Sequence, residues 1–204
     1  MKTLIVGANS RLAKALGEFP DSDIVSHRNI PGEGTYGAIY IFAYSFVMEE
    51  NISLLDKVAK LTSPTIILIS SITTLIGQQY KFRYPTIKRK CEKLAEDKGF
   101  IIVRIGLVLE TMPKIPISGS YVVTPLAEIR NMIKAGSSVC PKLEIISFWG
   151  GKGQLLEEYY VRLLKILGPV SFLIRPIDLV LKVFGQSWYG YNSLIVDFYR
   201  NEIK

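Results

Sequence analysis

The feature that most constrains this chain is the alternation of short apolar runs with amphipathic stretches through its first 110 residues. "TLIV" (3–6) stops at Gly7, and "SRLAKAL" (10–16) follows with Leu12, Ala13 and Leu16 at helical spacing. "DIVSHR" (23–28) reads as a second strand. "AIYIFAYSF" (38–46) reads as a third, continuously apolar and so expected to be buried on both faces. "ENISLLDKVAKL" (50–61) sets Ile52, Leu55, Val58 and Ala59 on one helical face, and beyond Pro64 comes the β-rich "TIILISS" (65–71). A basic helix over 86–98, with Ile87, Cys91, Leu94 and Ala95 on one face, leads to the strand "FIIVRIG" (100–106). Repeated βα units of about 20–30 residues imply right-handed crossovers, and therefore a doubly wound parallel α/β sheet.

Beyond residue 110 the rhythm loosens. "ETMPKIPISGS" (110–120) reads as loop, "PLAEIRNMIKAG" (125–136) as a helix ending at Gly136, and "KLEIISFW" (142–149) as a strand. "QLLEEYYVRLLKIL" (154–167) is an amphipathic helix, and 171–200 a Pro-interrupted, apolar, helical tail expected to cover the core. A chain of 204 residues suffices for one domain with a sizeable core, so a single domain over 1–204 is expected.

Composition excludes several classes. No stretch of about 18 uncharged apolar residues occurs, and "MKTLIVGANS" is too short in apolar residues for a signal peptide, so a soluble cytoplasmic protein without an integral membrane segment is expected. Cys91 and Cys140 are too few and too far apart for a zinc site or a CxxC pair; they are expected to be reduced thiols, with no metal. The net charge of +7 suits nucleic acid, anionic lipid or a phosphate-bearing small molecule, but the basic residues are scattered. Their densest run, "KFRYPTIKRK" (81–90), continues into the amphipathic helix and reads as its solvated face rather than a nucleic-acid patch. His27 is the one histidine and no G-x-S-x-G elbow is present, which argues against Ser-His-Asp hydrolysis.

Ligands of parallel sheets bind beyond the carboxyl ends of the strands, where "GANSRLA" (7–13) lies. Gly7 permits a tight turn, the helix start favours an anion, and Ala13 lets helix and strand approach, although Ser10 and Ala13 occupy the second and third glycine positions of the dinucleotide fingerprint. The second strand ends without an acid for a ribose 2′-hydroxyl, whereas Arg28, with Arg11 in the glycine loop, suits a 2′-phosphate; NADP is thus favoured over NAD. Tyr84 and Lys88 lie one helical turn apart. An ammonium beside a phenol stabilises phenolate, as a general acid/base requires, and Ser71 at a strand end suits hydrogen bonding to a reacting carbonyl or hydroxyl. In a chain with 11 tyrosines the spacing alone says little; its location gives it weight.

"GANSRLA", "SSI" at the end of 65–71, "YPTIK" followed by "CEKL", and "RIGLV" (104–108) stand in the order of the short-chain dehydrogenase/reductase superfamily, which this chain resembles over residues 1–110. The run from Tyr84 to Val108 is similar to the extended branch that works on nucleotide sugars, with Ile105 in place of that branch's proline; Asn51 matches its helix asparagine and "FAYS" (42–45) its third-strand end. The resemblance implies a Rossmann-like fold whose C-terminal substrate-binding portion (110–204) is reduced, since the chain is shorter than that branch's usual members. It implies Tyr84 as acid/base, Lys88 as its partner and ribose contact, and Ser71 as carbonyl orienter, with Ser70 and Thr73 as rivals for that last role. Gly7, Asn9, Ser10, Arg11 and Leu12 would line the pyrophosphate, His27 and Arg28 the adenosine ribose, and Ala43 would join the cofactor site. The expected activity is NAD(P)-dependent oxidation–reduction or epimerisation of a nucleotide sugar, in a protein that can pair with a second copy through the helices at 50–61 and 86–98. The alternative is an NADP-binding sensor or scaffold without turnover.

Overall fold

A computed structural model describes residues 2–17, 19–80, 82–109, 119–148, 153–168, 170, 176 and 192–203. The apolar runs become strands: β1 (Thr3–Val6), β2 (Ser22–Val25), β3 (Ala38–Ile41), β4 (Ile66–Ser71) and β5 (Ile101–Ile105). They form one parallel sheet in the order β2-β1-β3-β4-β5. The chain moves outward from β1 to β2, then returns to the other side of β1 for β3. That reversal opens a crevice at the carboxyl ends of β1 and β3, the place where such sheets take ligands.

Helices cover both faces. Leu4, Val6, Ile39, Ile41 and Leu68 meet Leu54, Leu55 and Val58 of α2 (Met48–Ala59) and Cys91 and Ala95 of α3 (Arg83–Asp97) in one buried cluster. On the opposite face Tyr40 is fully buried, its hydroxyl 3.2 Å from the carbonyls of Met132 and Ser137 around the end of α4 (Leu126–Lys134). Burial pushes that phenol up to about 12. Arg130 of α4 donates to the carbonyls of Ala15 (2.8 Å) and Leu16 (3.4 Å), the last turn of α1 (Arg11–Leu16). This is the doubly wound, Rossmann-like α/β arrangement expected from the alternation.

The details depart from the sequence reading in ways that matter for function. β2 ends at Val25, so His27 and Arg28 fall in the following turn. β3 ends at Ile41, so Phe42–Ser45 is loop rather than strand. α3 begins at Arg83, which brings Tyr84 inside the helix. α2 buries Asn51, Leu54, Leu55 and Val58 and leaves Ile52 39% exposed, because a polar residue claims the inner position that periodicity alone gives to isoleucine. Residues 26–37, between β2 and β3, hold no helix and only a single bridge, Thr35 to Thr62. A mononucleotide-binding half ordinarily contributes three strands; here it contributes two.

By its internal contacts the chain divides into two units: 1–71, 87–105 and 125–142 carry the parallel sheet, and 72–86, 106–124 and 143–204 form the second. The second unit has the sheet β6 (Leu107–Leu109), β7 (Gly119–Pro125), β8 (Glu144–Phe148), with β7 and β8 antiparallel. It also has a 3₁₀ turn (Ile72–Leu75), α5 (Gly153–Leu167) and α6 (Asn192–Phe198). Ile72, Ile76, Phe82, Val122, Leu164 and Leu194–Val196 share its core. Gly106 is a required glycine: a Cβ there would run into the Val122 carbonyl, and its amide donates to Thr124 Oγ1 at 2.8 Å. β6 and β7 are strands the sequence reading did not assign, and Gly119 and Ser120, read as loop, open β7. Of the expected loop, 110–118 lies outside the described residues, as do Trp149 of the expected strand and most of the expected tail before 192. No helix among the described residues is long and apolar enough to cross a membrane.

Candidate functional site

The turn after β1 is built by its own backbone. The amides of Gly7 and Ala8 both donate to the Val25 carbonyl (2.7 and 3.0 Å), and the Ser10 amide donates back to Gly7 (2.8 Å). Across the crevice the amides of Phe42 and Ala43 donate to the Val6 carbonyl (2.8 and 3.1 Å). Gly7 has φ +125°, and a Cβ there would sit 2.8 Å from the Ala43 nitrogen. Only glycine allows the two loops to approach so closely at the point where strand order reverses. The Ser10 side chain caps α1, accepting from the Ala13 amide at 3.0 Å, so its hydroxyl serves the helix. The amides of Asn9, Arg11 and Leu12 stay outside these bonds, on a loop where Asn9 and Arg11 are exposed. A close-packed glycine turn at a helix start with an exposed arginine beside it suits a diphosphate. Arg28, also exposed, follows β2, with half-buried His27 before it.

The β3–α2 loop, which carries Ala43, is tied down by Asn51. This side chain is 3% exposed; its Oδ1 accepts from the Ser45 amide (2.9 Å) and its Nδ2 donates to the carbonyls of Ser45 (2.8 Å) and Val47 (3.1 Å). The sequence singles out Asn51 by resemblance only; its work is to satisfy a loop turning at the edge of the crevice.

α3 carries Tyr84 in its first turn and Lys88 one turn on, a spacing that sets them on the same helical face. Tyr84 is half-buried and stands in the 72–86 segment of the second unit. Lys88 is 6% exposed; its ammonium donates to the Ile69 carbonyl at 3.5 Å and lies 4.6 Å from the centre of the Tyr44 ring. Burial pushes the amine down to about 8, against the opposing pull of Cys91 and Glu92. Further along α3, buried Glu92 accepts a two-pronged bond from Arg104 of β5 (Nε to Oε1 3.1 Å, Nη2 to Oε2 2.9 Å). This pair escaped the sequence reading. Its signal is an acid four residues after Lys88 facing an arginine on the next strand.

The hydroxyls at the end of β4 are sorted by strand alternation. Ser70 lies on the face of Leu68 and, through its register with Arg104, on the side of α3. Ser71, the last residue of β4, is half-buried and belongs to the alternate face, and Thr73 is buried in the 3₁₀ turn of the second unit. Within the first unit the structure therefore groups Lys88, Ser70 and Tyr44 on one side, with Gly7 and Ala43 at the mouth of the crevice. Such a grouping offers a titratable buried amine, hydroxyl groups and a phosphate-sized backbone turn.

No family model matches the chain, and no curated protein matches it in sequence. Solved structures do match in fold. TunA, an NAD-dependent NDP-hexosamine 5,6-dehydratase of tunicamycin biosynthesis, is 13% identical with a TM-score of 0.53, the match covering 82% of this chain and 81% of that one. UDP-glucuronic acid 4-epimerase from Bacillus cereus, solved with UDP-glucuronic acid and NAD, is 13% identical with a TM-score of 0.50, over 72% of this chain and 80% of that one. The capsular polysaccharide assembling protein CapF from Staphylococcus aureus is 16% identical with a TM-score of 0.50, over 80% of this chain; this chain spans 58% of CapF. The Rossmann-like fold implied by the resemblance to the extended short-chain dehydrogenases/reductases is thus the fold found, and this chain shares it with NAD-dependent nucleotide-sugar dehydratases and epimerases.

Proposed function

We propose that the protein is an NAD(P)-dependent oxidoreductase or epimerase acting on a nucleotide sugar. The observation that carries this reading is the buried Lys88 amine, brought down to about 8 beside the end of β4, one helical turn from Tyr84. Tyr84 holds and moves the proton at the reacting sugar oxygen, Lys88 favours its phenolate form, and Ser71 hydrogen-bonds the same oxygen. Gly7, Asn9, Ser10, Arg11 and Leu12 enclose the pyrophosphate, with Ala43 across the crevice; there the Ser10 contribution is its cap on α1. His27 and Arg28 meet the adenosine ribose, and the paired forks of Arg11 and Arg28 favour a 2′-phosphate, hence NADP, although the neighbours in fold are NAD enzymes. When bound, the nicotinamide supplies hydride transfer. On this reading 1–204 works as one cofactor-binding domain, 110–204 supplies a shortened substrate portion, and the protein is cytoplasmic and pairs through α2 and α3.

The test is calorimetric titration with NADPH and NADH of the wild type, Arg28→Ala and Tyr84→Phe, followed by incubation with UDP-sugars. NADPH binding weakened about tenfold or more in Arg28→Ala and kept in Tyr84→Phe, with sugar turnover lost in the NADPH-loaded Tyr84→Phe, supports the proposal. Binding of neither cofactor overturns it. The two-stranded first half favours a second reading, an NADP-binding sensor or scaffold; NADPH binding without turnover of any sugar would select it.

A further inference from the structure

A hydroxyl removed from water with no hydrogen bond is destabilising by about 1–3 kcal/mol, so a buried orphan calls for a reason. Ser70 is such a residue: it is 2% exposed and its Oγ has no hydrogen-bonding partner. It is not hidden at random. The Lys88 ammonium donates to the carbonyl of Ile69, the peptide that joins Ile69 to Ser70, and the alternation of β4 turns Ser70 to the α3 side from which Lys88 enters. Three polar groups therefore converge at the end of β4: the Lys88 ammonium, the Ile69 carbonyl and the Ser70 hydroxyl. An enclosed water needs two to four polar partners, and these provide three.

We propose that Ser70 is a positioning residue for Lys88, its hydroxyl joined to the Lys88 ammonium through one enclosed water. The bond holds the amine at the end of β4 and stabilises its charged form, which burial disfavours. Within the same unit, the other titratable or charged groups that face Lys88 are Cys91 and Glu92 on α3 and Tyr44 from the β3–α2 loop, with Arg104 from β5 directing its charge to Glu92. β4 adds no ionisable group there, and Ser70 is its contribution. The proposal deepens the reading of Lys88 as the amine partnering an acid/base, and its test needs no cofactor.

The measurement is an NMR titration of the protein labelled with 13C at lysine Cε, with the Lys88 signal assigned by its loss in Lys88→Arg. Ser70→Ala removes an acceptor that favours the ammonium, so the Lys88 midpoint should fall by about one pH unit, a tenfold change in protonation equilibrium. Ser70→Cys, a poor acceptor of similar volume, should shift it in the same direction, and Ser70→Thr, which keeps the hydroxyl, should restore it. A midpoint unmoved in both Ser70→Ala and Ser70→Cys overturns the proposal, as does an equal shift in Ser71→Ala. Calorimetry with NADPH separates the two readings: the Ser70-dependent shift without NADPH binding supports the role of Ser70 while sinking the cofactor, and NADPH binding with an unmoved midpoint does the reverse.

Discussion

Lys88 makes a thermodynamic signature that can be read without knowing any ligand. Its amine keeps its proton to 10.5 in an ordinary setting but only to about 8 in the fold. Between those values the unfolded chain binds more protons, so the penalty of the buried charge is complete below pH 8 and is relieved as the pH climbs toward 10.5. Urea unfolding should therefore show wild-type stability rising relative to Lys88→Met by on the order of 3 kcal/mol across that window. A pH-independent difference would mean that the amine is not held charged in an apolar setting. Glycine gives a second contrast. Gly7→Ala forces a Cβ against the Ala43 nitrogen, whereas at Gly17, φ +76°, nothing lies within 4 Å of the added carbon. Gly17→Ala should cost about 1 kcal/mol of backbone strain, and Gly7→Ala at least about twice that together with all NADPH binding, as read by thermal unfolding and calorimetry. At this scale the sequence is informative about which residues stand out, Gly7, Tyr84, Lys88 and Asn51 among them. It is silent on partners: that Ser10 caps α1 follows from the turn that precedes the helix, and that Ser70 rather than Ser71 faces α3 follows from strand register.

Elements one through five of the parallel sheet are legible because each is a local pattern, an apolar run followed by a helical stripe. Their ends are not. β2 and β3 both stop short of the stretches expected as strands, since the chain turns away after Val25 and Ile41 and the amides of Gly7, Ala8, Phe42 and Ala43 bond to carbonyls of neighbouring strands. β7 fails differently: "YVVT" is flanked by glycine, serine and proline, and its residues Gly119–Thr124 are buried throughout, so no alternation marks it. The β3–α2 loop is a testable element. Asn51→Leu keeps the branched shape but abandons three hydrogen bonds, and should destabilise the protein by about 2 kcal/mol and weaken NADPH binding through a loosened Ala43 loop. On the proposed reading, the two-stranded first half would leave the base side of a dinucleotide to the irregular 26–37 segment. Replacing the adenine of NADPH by hypoxanthine should accordingly change Kd little, while Arg28→Ala should weaken binding about tenfold or more. A base change as costly as the loss of Arg28 would show that 26–37 reads the purine after all.

At the scale of the whole molecule the two units alternate along the chain, each assembled from three separate stretches. A chain stopped after Lys142 keeps every segment of the parallel-sheet unit, but strands 72–86 and 106–124 without Leu164 and Leu194–Val196, their partners in the second core. Such a fragment should retain strand and helix by circular dichroism yet bind the dye ANS strongly; a fragment with no regular structure would show that the first unit does not fold without the second. The same alternation explains why the second unit is the less legible half: its contacts join residues far apart in sequence, where no periodicity connects them.

Alternation along the chain also constrains how a lineage of such chains can diversify. A single recombination near residue 142 would import only the last of the three stretches of the second unit and set it against 72–86 and 106–124 from the other parent. Most such chimaeras would be mismatched at a core where Phe82 and Val122 meet Leu164 and Leu194. Change in the second unit is thus expected to accumulate by point substitution within those stretches, because no contiguous segment carries the whole unit.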